Sequence, residues 1–70
     1  MSEFKISLKA ARVNAGLSQE EAASQVGVSR QTITNYETGK TAPDIKTLRK
    51  LADLYAVNIN RISFLPNQSN

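Results

Sequence analysis

Four polar side chains near the middle of the chain could recognise another surface through paired hydrogen bonds. They are Arg30, Gln31, Thr34 and Asn35. Because Ile33 and Tyr36 are apolar and three residues apart, a helix here turns those two inward and the four polar residues wholly or partly outward. An arginine fork or a carboxamide can make the two hydrogen bonds that distinguish guanine or adenine in the major groove of DNA. An exposed helix also needs polar residues for solvation alone, so the argument depends on the group and not on one member.

The residue types present in the rest of the chain argue against an enzyme. The chain has no histidine, no cysteine and six Asp and Glu residues, which are scattered. Disulfides, thiolate metal sites and imidazole ligands are therefore excluded, and nothing indicates an assembled nucleophile or general base. Glu20 and Glu21 are better interpreted as the acidic first turn of a helix than as catalytic acids. We expect no enzymatic activity, no cofactor, no metal and no small-molecule ligand.

The charge balance favours a polyanionic partner. Nine Lys and Arg residues against six Asp and Glu give a formal net charge of +3, with a pI near 9.6. Many small basic proteins never bind nucleic acid, so the net charge indicates only that a negatively charged partner is favoured and does not identify it. No apolar run approaches the roughly 18 residues of a membrane span, and the amino terminus lacks the long apolar core of a signal peptide. We therefore expect an intracellular protein without a membrane partner.

Two short helices joined by a tight turn are predicted between Gln19 and Glu37, and the polar group lies on the second. Ala23 belongs to the apolar face of the first helix, and Gly27 can end that helix by taking a positive φ. Ser29 is a suitable cap for the second helix, at about residues 30–38. This arrangement is a helix-turn-helix, whose second helix projects from the surface and can enter a major groove.

Three further helices are predicted around this pair, at about Ile6 to Asn14, Ile45 to Ala56 and Ile59 to Phe64. Their inward-facing apolar residues are expected to be Leu8, Ala11, Ala15, Ile45, Leu48, Leu51, Ala52, Tyr55, Ile59 and Ile62. Phe64 is expected to form an exposed apolar patch beside Leu65 if it does not face the core.

The length of 70 residues predicts one small domain. This is near the lower limit at which a single hydrophobic core stabilises a fold without a disulfide or a structural metal. We expect this domain to span residues 1–70, with an ordered core at about 5–65. The polar segment at 66–70 is expected to be a flexible tail.

A more specific pattern runs through the predicted helix-turn-helix and the loop after it. Its members are Gln19, Ala23, Gly27, Val28, Ser29, Ile33, Glu37, Gly39, Lys40 and Pro43. This pattern resembles the Cro and repressor type (Xre-like) helix-turn-helix family of phage and bacterial DNA-binding transcriptional regulators, from about Leu8 to Leu65. The resemblance implies an all-α, compact five-helix lambda-repressor-like fold, with the helix-turn-helix formed by helices 2 and 3.

The resemblance also implies a sequence-specific, repressor-like regulator that occupies a double-stranded DNA operator as a homodimer, in the cytoplasm of a bacterial or phage-infected cell, at the nucleoid. The base-reading residues would be Arg30, Gln31, Thr34 and Asn35. The phosphate-contacting residues would be Gln19, Ser29, Thr32, Lys40 and Thr41. Two other functions stay open on the same fold: a protein-interaction module that does not bind DNA, and the antitoxin of a toxin pair.

One ion pair is implied as well. Members of the family often place an arginine of the first helix against the glutamate that closes the recognition helix, and here these are Arg12 and Glu37. Arg12 lies next to the apolar stripe of its helix, so its charge needs a partner if its stem is covered. The competing interpretation is two exposed, unpaired surface charges.

Overall fold

Most of the described chain, residues 5–63 of a computed structural model, folds into four α-helices. They are α1 (Leu8–Asn14), α2 (Gln19–Val26), α3 (Arg30–Thr38) and α4 (Ile45–Tyr55). A 3-10 helix follows at Ile59–Arg61, and two short strands, β1 (Ile6–Ser7) and β2 (Ile62–Ser63), flank the helical part. Within residues 5–63, no helix has the length and apolar composition that crossing a membrane requires.

Each α-helix begins after a side chain that caps it. The caps are Ser7, Ser18, Ser29 and Asp44, and each accepts a hydrogen bond from the backbone N–H three residues later. The Glu21 carboxylate in turn accepts a bond from the backbone N–H of Ser18, which completes a capping box. The sequence predicts the Ser29 cap, and the structure confirms it. The starts of α2 and α3 are therefore fixed by local chemistry.

Residues in the left-handed conformation end α2, α3 and α4. Gly27 and Gly39 follow α2 and α3 with φ of 81° and 83°, where a Cβ would be strained. Ala56 follows α4 with φ of 58°, although the sequence predicts helix through this residue. This turn lets the Val57 N–H donate to the Ala52 carbonyl oxygen, which closes the helix end.

The core lies where the four helices meet. Ile33 of α3 and Leu51 of α4 are each 1% exposed. The other buried residues of this core cluster are Leu8, Ala11, Ala22, Ala23, Val26, Leu48, Ala52, Tyr55 and Ile62. Two expected core residues are exposed instead: Ala15, which follows α1, and Ile45, which is 60% exposed. Ile45 is the first residue of α4 and precedes the part of that helix that reaches the core.

The predicted fifth α-helix is not confirmed. Ile59–Arg61 is a single 3-10 turn, and Ile62–Ser63 then pairs in parallel with Ile6–Ser7. This pairing also explains why α1 begins two residues later than predicted, since Ile6 and Ser7 are extended. β-branched isoleucines at facing positions suit a paired strand better than a helix end. Residues 64–70 lie outside the described chain, and with them the predicted patch at Phe64 and the predicted tail.

Ala56→Gly is expected to raise the free energy of unfolding by about 0.5 to 1 kcal/mol. The left-handed conformation costs a residue with a Cβ about 1 to 2 kcal/mol, and glycine loses part of this gain to the greater entropy of its unfolded chain. Urea denaturation measures the change. Ala10→Gly is the matched control, because Ala10 is exposed inside α1, where the same exchange should lower stability by about 1 kcal/mol. A loss at both positions would contradict this explanation.

Candidate nucleic-acid interface

The first turn of α3 is open to solvent, whereas its inner side is fixed in the core. Arg30 and Gln31 are exposed, and Ile33 is 1% exposed. Thr34 and Asn35 are half-buried, one turn further along. The four predicted base readers therefore differ in access: two project from the start of the helix, and two lie closer to the rest of the protein.

The side chains of Gln31 and Asn35 are hydrogen bonded to each other along α3. Gln31 Nε2 donates to Asn35 Oδ1 at 3.1 Å. This bond uses one N–H of Gln31 and leaves the amide its carbonyl oxygen and its second N–H. Asn35 keeps both of its amide N–H groups. The pair thus presents three amide N–H groups, the Gln31 carbonyl oxygen and the second lone pair of Asn35 Oδ1.

The side chain of Thr34 is directed towards α2. Its hydroxyl lies 3.2 Å from Gln19 Oε1 and 3.3 Å from the Arg30 carbonyl oxygen, and it can donate its single proton to either. Both acceptors belong to the protein. Sequence periodicity places Thr34 on the outward side of α3, but it does not indicate this contact.

A buried ion pair joins α1 to the end of α3. Arg12 Nε donates to Glu37 Oε2 at 2.6 Å, and Arg12 Nη2 donates to Glu37 Oε1 at 3.2 Å. The two side chains are 10% and 4% exposed, so the interpretation as two surface charges is wrong. The hydrogen bond to Glu37 raises the pKa of Arg12 above its usual value, although burial acts in the opposite direction.

Gln19 adds a third element to this pair. Its Nε2 donates to Glu37 Oε1 at 3.0 Å, while its Oε1 is the acceptor beside Thr34. We call Arg12, Gln19, Thr34 and Glu37 the Glu37 cluster. It connects α1, α2 and α3 through side chains alone. Sequence reasoning assigns Gln19 to phosphate contact and misses this internal role, since its partners are 15 and 18 residues away.

Tyr55 of α4 lies close enough to the Glu37 cluster for the charges of Glu37 and Arg12 to shift its pKa. Burial raises the pKa of its phenol to about 12, the negative charge of Glu37 adds to this effect, and Arg12 opposes it. The phenol is therefore neutral throughout the physiological range.

The remaining predicted phosphate contacts lie at the two ends of α3. Ser29 and Thr32, at its start, share a hydrogen bond of 2.8 Å between their hydroxyls. Lys40 and Thr41, after its end, are exposed, and their backbone N–H groups donate to the Asn35 carbonyl oxygen at 2.9 and 3.3 Å. The backbone beside Lys40 is therefore held in place, while its charged side chain is open to solvent.

An open cleft of about 490 Å³ lies between the starts of α2 and α3. It is lined by Arg12, Ser18, Gln19, Glu20 and Arg30. The charge of Arg30 and the positive end of α2 favour an anion, and Glu20 opposes it. Among residues 5–63, no three His, Cys, Asp or Glu side chains are placed to hold a metal ion. The chemistry of this surface is hydrogen bonding and positive charge.

An anchored helix with polar side chains on its open first turn, preceded by a capped helix and a glycine turn, defines the helix-turn-helix class. A family model described as "Helix-turn-helix" matches residues 8–62. The chain belongs to this family. Its predicted resemblance to the Cro and repressor type is confirmed by relatives that are named as phage and bacterial regulators.

Three relatives illustrate the likeness. The SPbeta prophage-derived uncharacterized HTH-type transcriptional regulator YonR of Bacillus subtilis is 43% identical over 51 residues, which make up 73% of this chain and 47% of that protein. The cryptic phage CTXphi transcriptional repressor RstR of Vibrio cholerae is 39% identical over 56 residues, or 80% of this chain and 50% of that protein. An uncharacterized HTH-type transcriptional regulator of Methanocaldococcus jannaschii is 43% identical over 59 residues, which make up 84% of this chain and 89% of that protein. The chain spans about half the length of the first two.

Removing one partner of the ion pair is expected to lower the free energy of unfolding by about 3 to 5 kcal/mol, because the other charge stays buried without an opposite charge beside it. Arg12→Met and Glu37→Leu should each show this in urea denaturation, and the double variant should lose less than the sum of the two. Asp53→Ala is the control, since Asp53 is an exposed carboxylate of α4 whose loss should change stability by less than about 0.5 kcal/mol. Strictly additive losses would show that the two charges are not coupled.

Proposed function

We propose that this chain is a sequence-specific, double-stranded DNA-binding transcriptional regulator that places α3 in the major groove. One observation carries the proposal: α3 is held at its end by the buried Glu37, while Arg30 and Gln31 at its start are exposed. A helix held in this way can present its first turn to a groove as a preorganised surface. Membership of the helix-turn-helix family and relatives named as transcriptional regulators support the proposal.

Base reading is assigned to the polar side of α3. The groups that Gln31 keeps after its bond to Asn35, a carbonyl oxygen and one N–H, match the N6 donor and the N7 acceptor of adenine. Arg30 has the paired donors that suit N7 and O6 of guanine. The amide N–H groups of Asn35 extend the set to a neighbouring base. Thr34 belongs to the set that the sequence predicts, and its contact with α2 distinguishes it from the other three.

Phosphate contact is assigned to both sides of this reading surface. The residues are Gln19, Ser29, Thr32, Lys40 and Thr41. Such contacts position a protein on the duplex without reading its sequence. Lys40 is the cation of this set, and it is exposed, so it should contribute most of the dependence of binding on salt.

A single recognition helix reads too few base pairs to define one site in a genome, so we infer that two copies bind as a homodimer, with half-sites about 34 Å apart. The relative RstR is named a transcriptional repressor. Occupation of an operator in the cytoplasm, at the nucleoid, is the corresponding mode of action for this chain. The proposed unit is a single domain over residues 1–70.

Selection of bound sites from random double-stranded DNA tests the proposal. The wild-type protein should enrich one sequence arranged as two symmetric half-sites with centres about 34 Å apart. Equal retention of all sequences, or no retention, would contradict sequence-specific binding. No retention would favour a protein-interaction module on the same fold, whereas equal retention of all sequences would show DNA binding without sequence specificity.

Gln31→Ala is expected to weaken binding to the selected operator by about 1 to 3 kcal/mol per half-site and to relax the preference for adenine at one position of each half-site. Binding titrations against operators with each base at that position measure both effects. Lys40→Ala is the comparison: it should weaken binding to all sequences alike and reduce the slope of log K against log salt by about one for each half-site. Equal loss on every base would remove Gln31 from the readers, and an unchanged slope would remove Lys40 from the phosphate contacts.

A further inference from the structure

The Gln19 amide is held in one orientation by partners at both of its ends. Nε2 donates to Glu37 Oε1 at 3.0 Å, and Oε1 lies 3.2 Å from the Thr34 hydroxyl. A rotation that exchanged the two ends would place the amide oxygen against the Glu37 carboxylate, two acceptors without a proton between them. Glu37 cannot turn away from the amide, because its side chain is 4% exposed and paired with Arg12. The amide therefore keeps one N–H, in a defined direction, for an external acceptor.

Gln19 lies at an open surface where an external hydrogen-bond acceptor can reach it. It is the first residue of α2 and is half-buried. Its side chain lines the cleft between the starts of α2 and α3, beside Arg30. An N–H donor next to a guanidinium and the positive end of a helix suits a phosphate oxygen.

Thr34 has the complementary property. Its one hydroxyl proton is used inside the protein, on Gln19 Oε1 or on the Arg30 carbonyl oxygen. It therefore has no proton left to donate to a base edge and keeps only the lone pairs of its oxygen, unlike Gln31 and Asn35, whose mutual bond leaves them amide N–H groups.

We propose that Thr34 is a positioning residue and not a base reader: its hydroxyl orients the Gln19 amide, so that the remaining Gln19 N–H binds one phosphate of the DNA backbone. This inference rests on the proposed function. Under it, base discrimination by α3 comes from Arg30, Gln31 and Asn35, while Thr34 sets affinity through α2. The link gives the recognition helix and the phosphate-binding helix a direct side-chain connection on the DNA-facing side.

The test uses the operator obtained by site selection, made with a single neutral methylphosphonate linkage at each backbone position in turn. The linkage whose penalty disappears in Gln19→Leu identifies the phosphate that Gln19 contacts. Thr34→Val, which keeps the side-chain shape without the hydroxyl, should lower operator affinity about three- to tenfold. It should lose the penalty at that same linkage and leave the base preferences from a repeated site selection unchanged. Thr34→Ser, which keeps the hydroxyl, should retain both the affinity and the penalty.

Three results would overturn the inference. A relaxed preference at one base position in Thr34→Val would make Thr34 a reader. A loss of affinity with the full methylphosphonate penalty retained would reduce its role to general stability. Wild-type affinity in Thr34→Val would show that the hydroxyl does nothing. Failure of the wild-type protein to select any sequence is a different outcome, because it removes the proposed function and this inference together.

Discussion

The burial of one carboxylate at the end of α3 is the constraint on which the rest of the structure depends. A buried charge without partners would cost several kcal/mol, so Glu37 must receive donors wherever α3 comes to rest. Those donors come from Arg12 of α1 and Gln19 of α2. The rotation of α3 about its own axis is therefore restricted by the geometry of these bonds as well as by the packing of Ile33. The choice of which side chains α3 shows to solvent follows from that restriction.

Local chemistry explains which parts of the fold are predictable from the sequence. A serine or aspartate cap needs only the N–H three residues later, and Gly27 needs only its own φ, so these features are visible in short stretches. The exposure of Ile45 and the pairing of Ile62 with Ile6 depend on where distant segments lie. Ala56 is a different case, because the chain adopts a conformation there that its residue type disfavours.

The same distinction applies to the candidate interface. The outward placement of Arg30 and Gln31 follows from helical periodicity, and the structure agrees. A family resemblance and the need to compensate a partly covered arginine together imply the ion pair of Arg12 and Glu37, and the structure contains it. The link between Gln19 and Thr34 has neither source, since two polar side chains on different helices give no periodic pattern. Side-chain hydrogen bonds across helices are thus the part of such a site that a sequence describes least well.

The short parallel pairing of β1 with β2 couples the stability of the two ends of the described chain. Lys5 Nζ donates to the Asn60 carbonyl oxygen, 55 residues further along, on the same side of the fold. Loss of order at either end removes the hydrogen-bond partners of the other, so the first and last segments should open and close as one thermodynamic unit. Because closing a loop of this length costs entropy before its contacts form, we expect the two ends to pair late in folding and not to belong to an early nucleus.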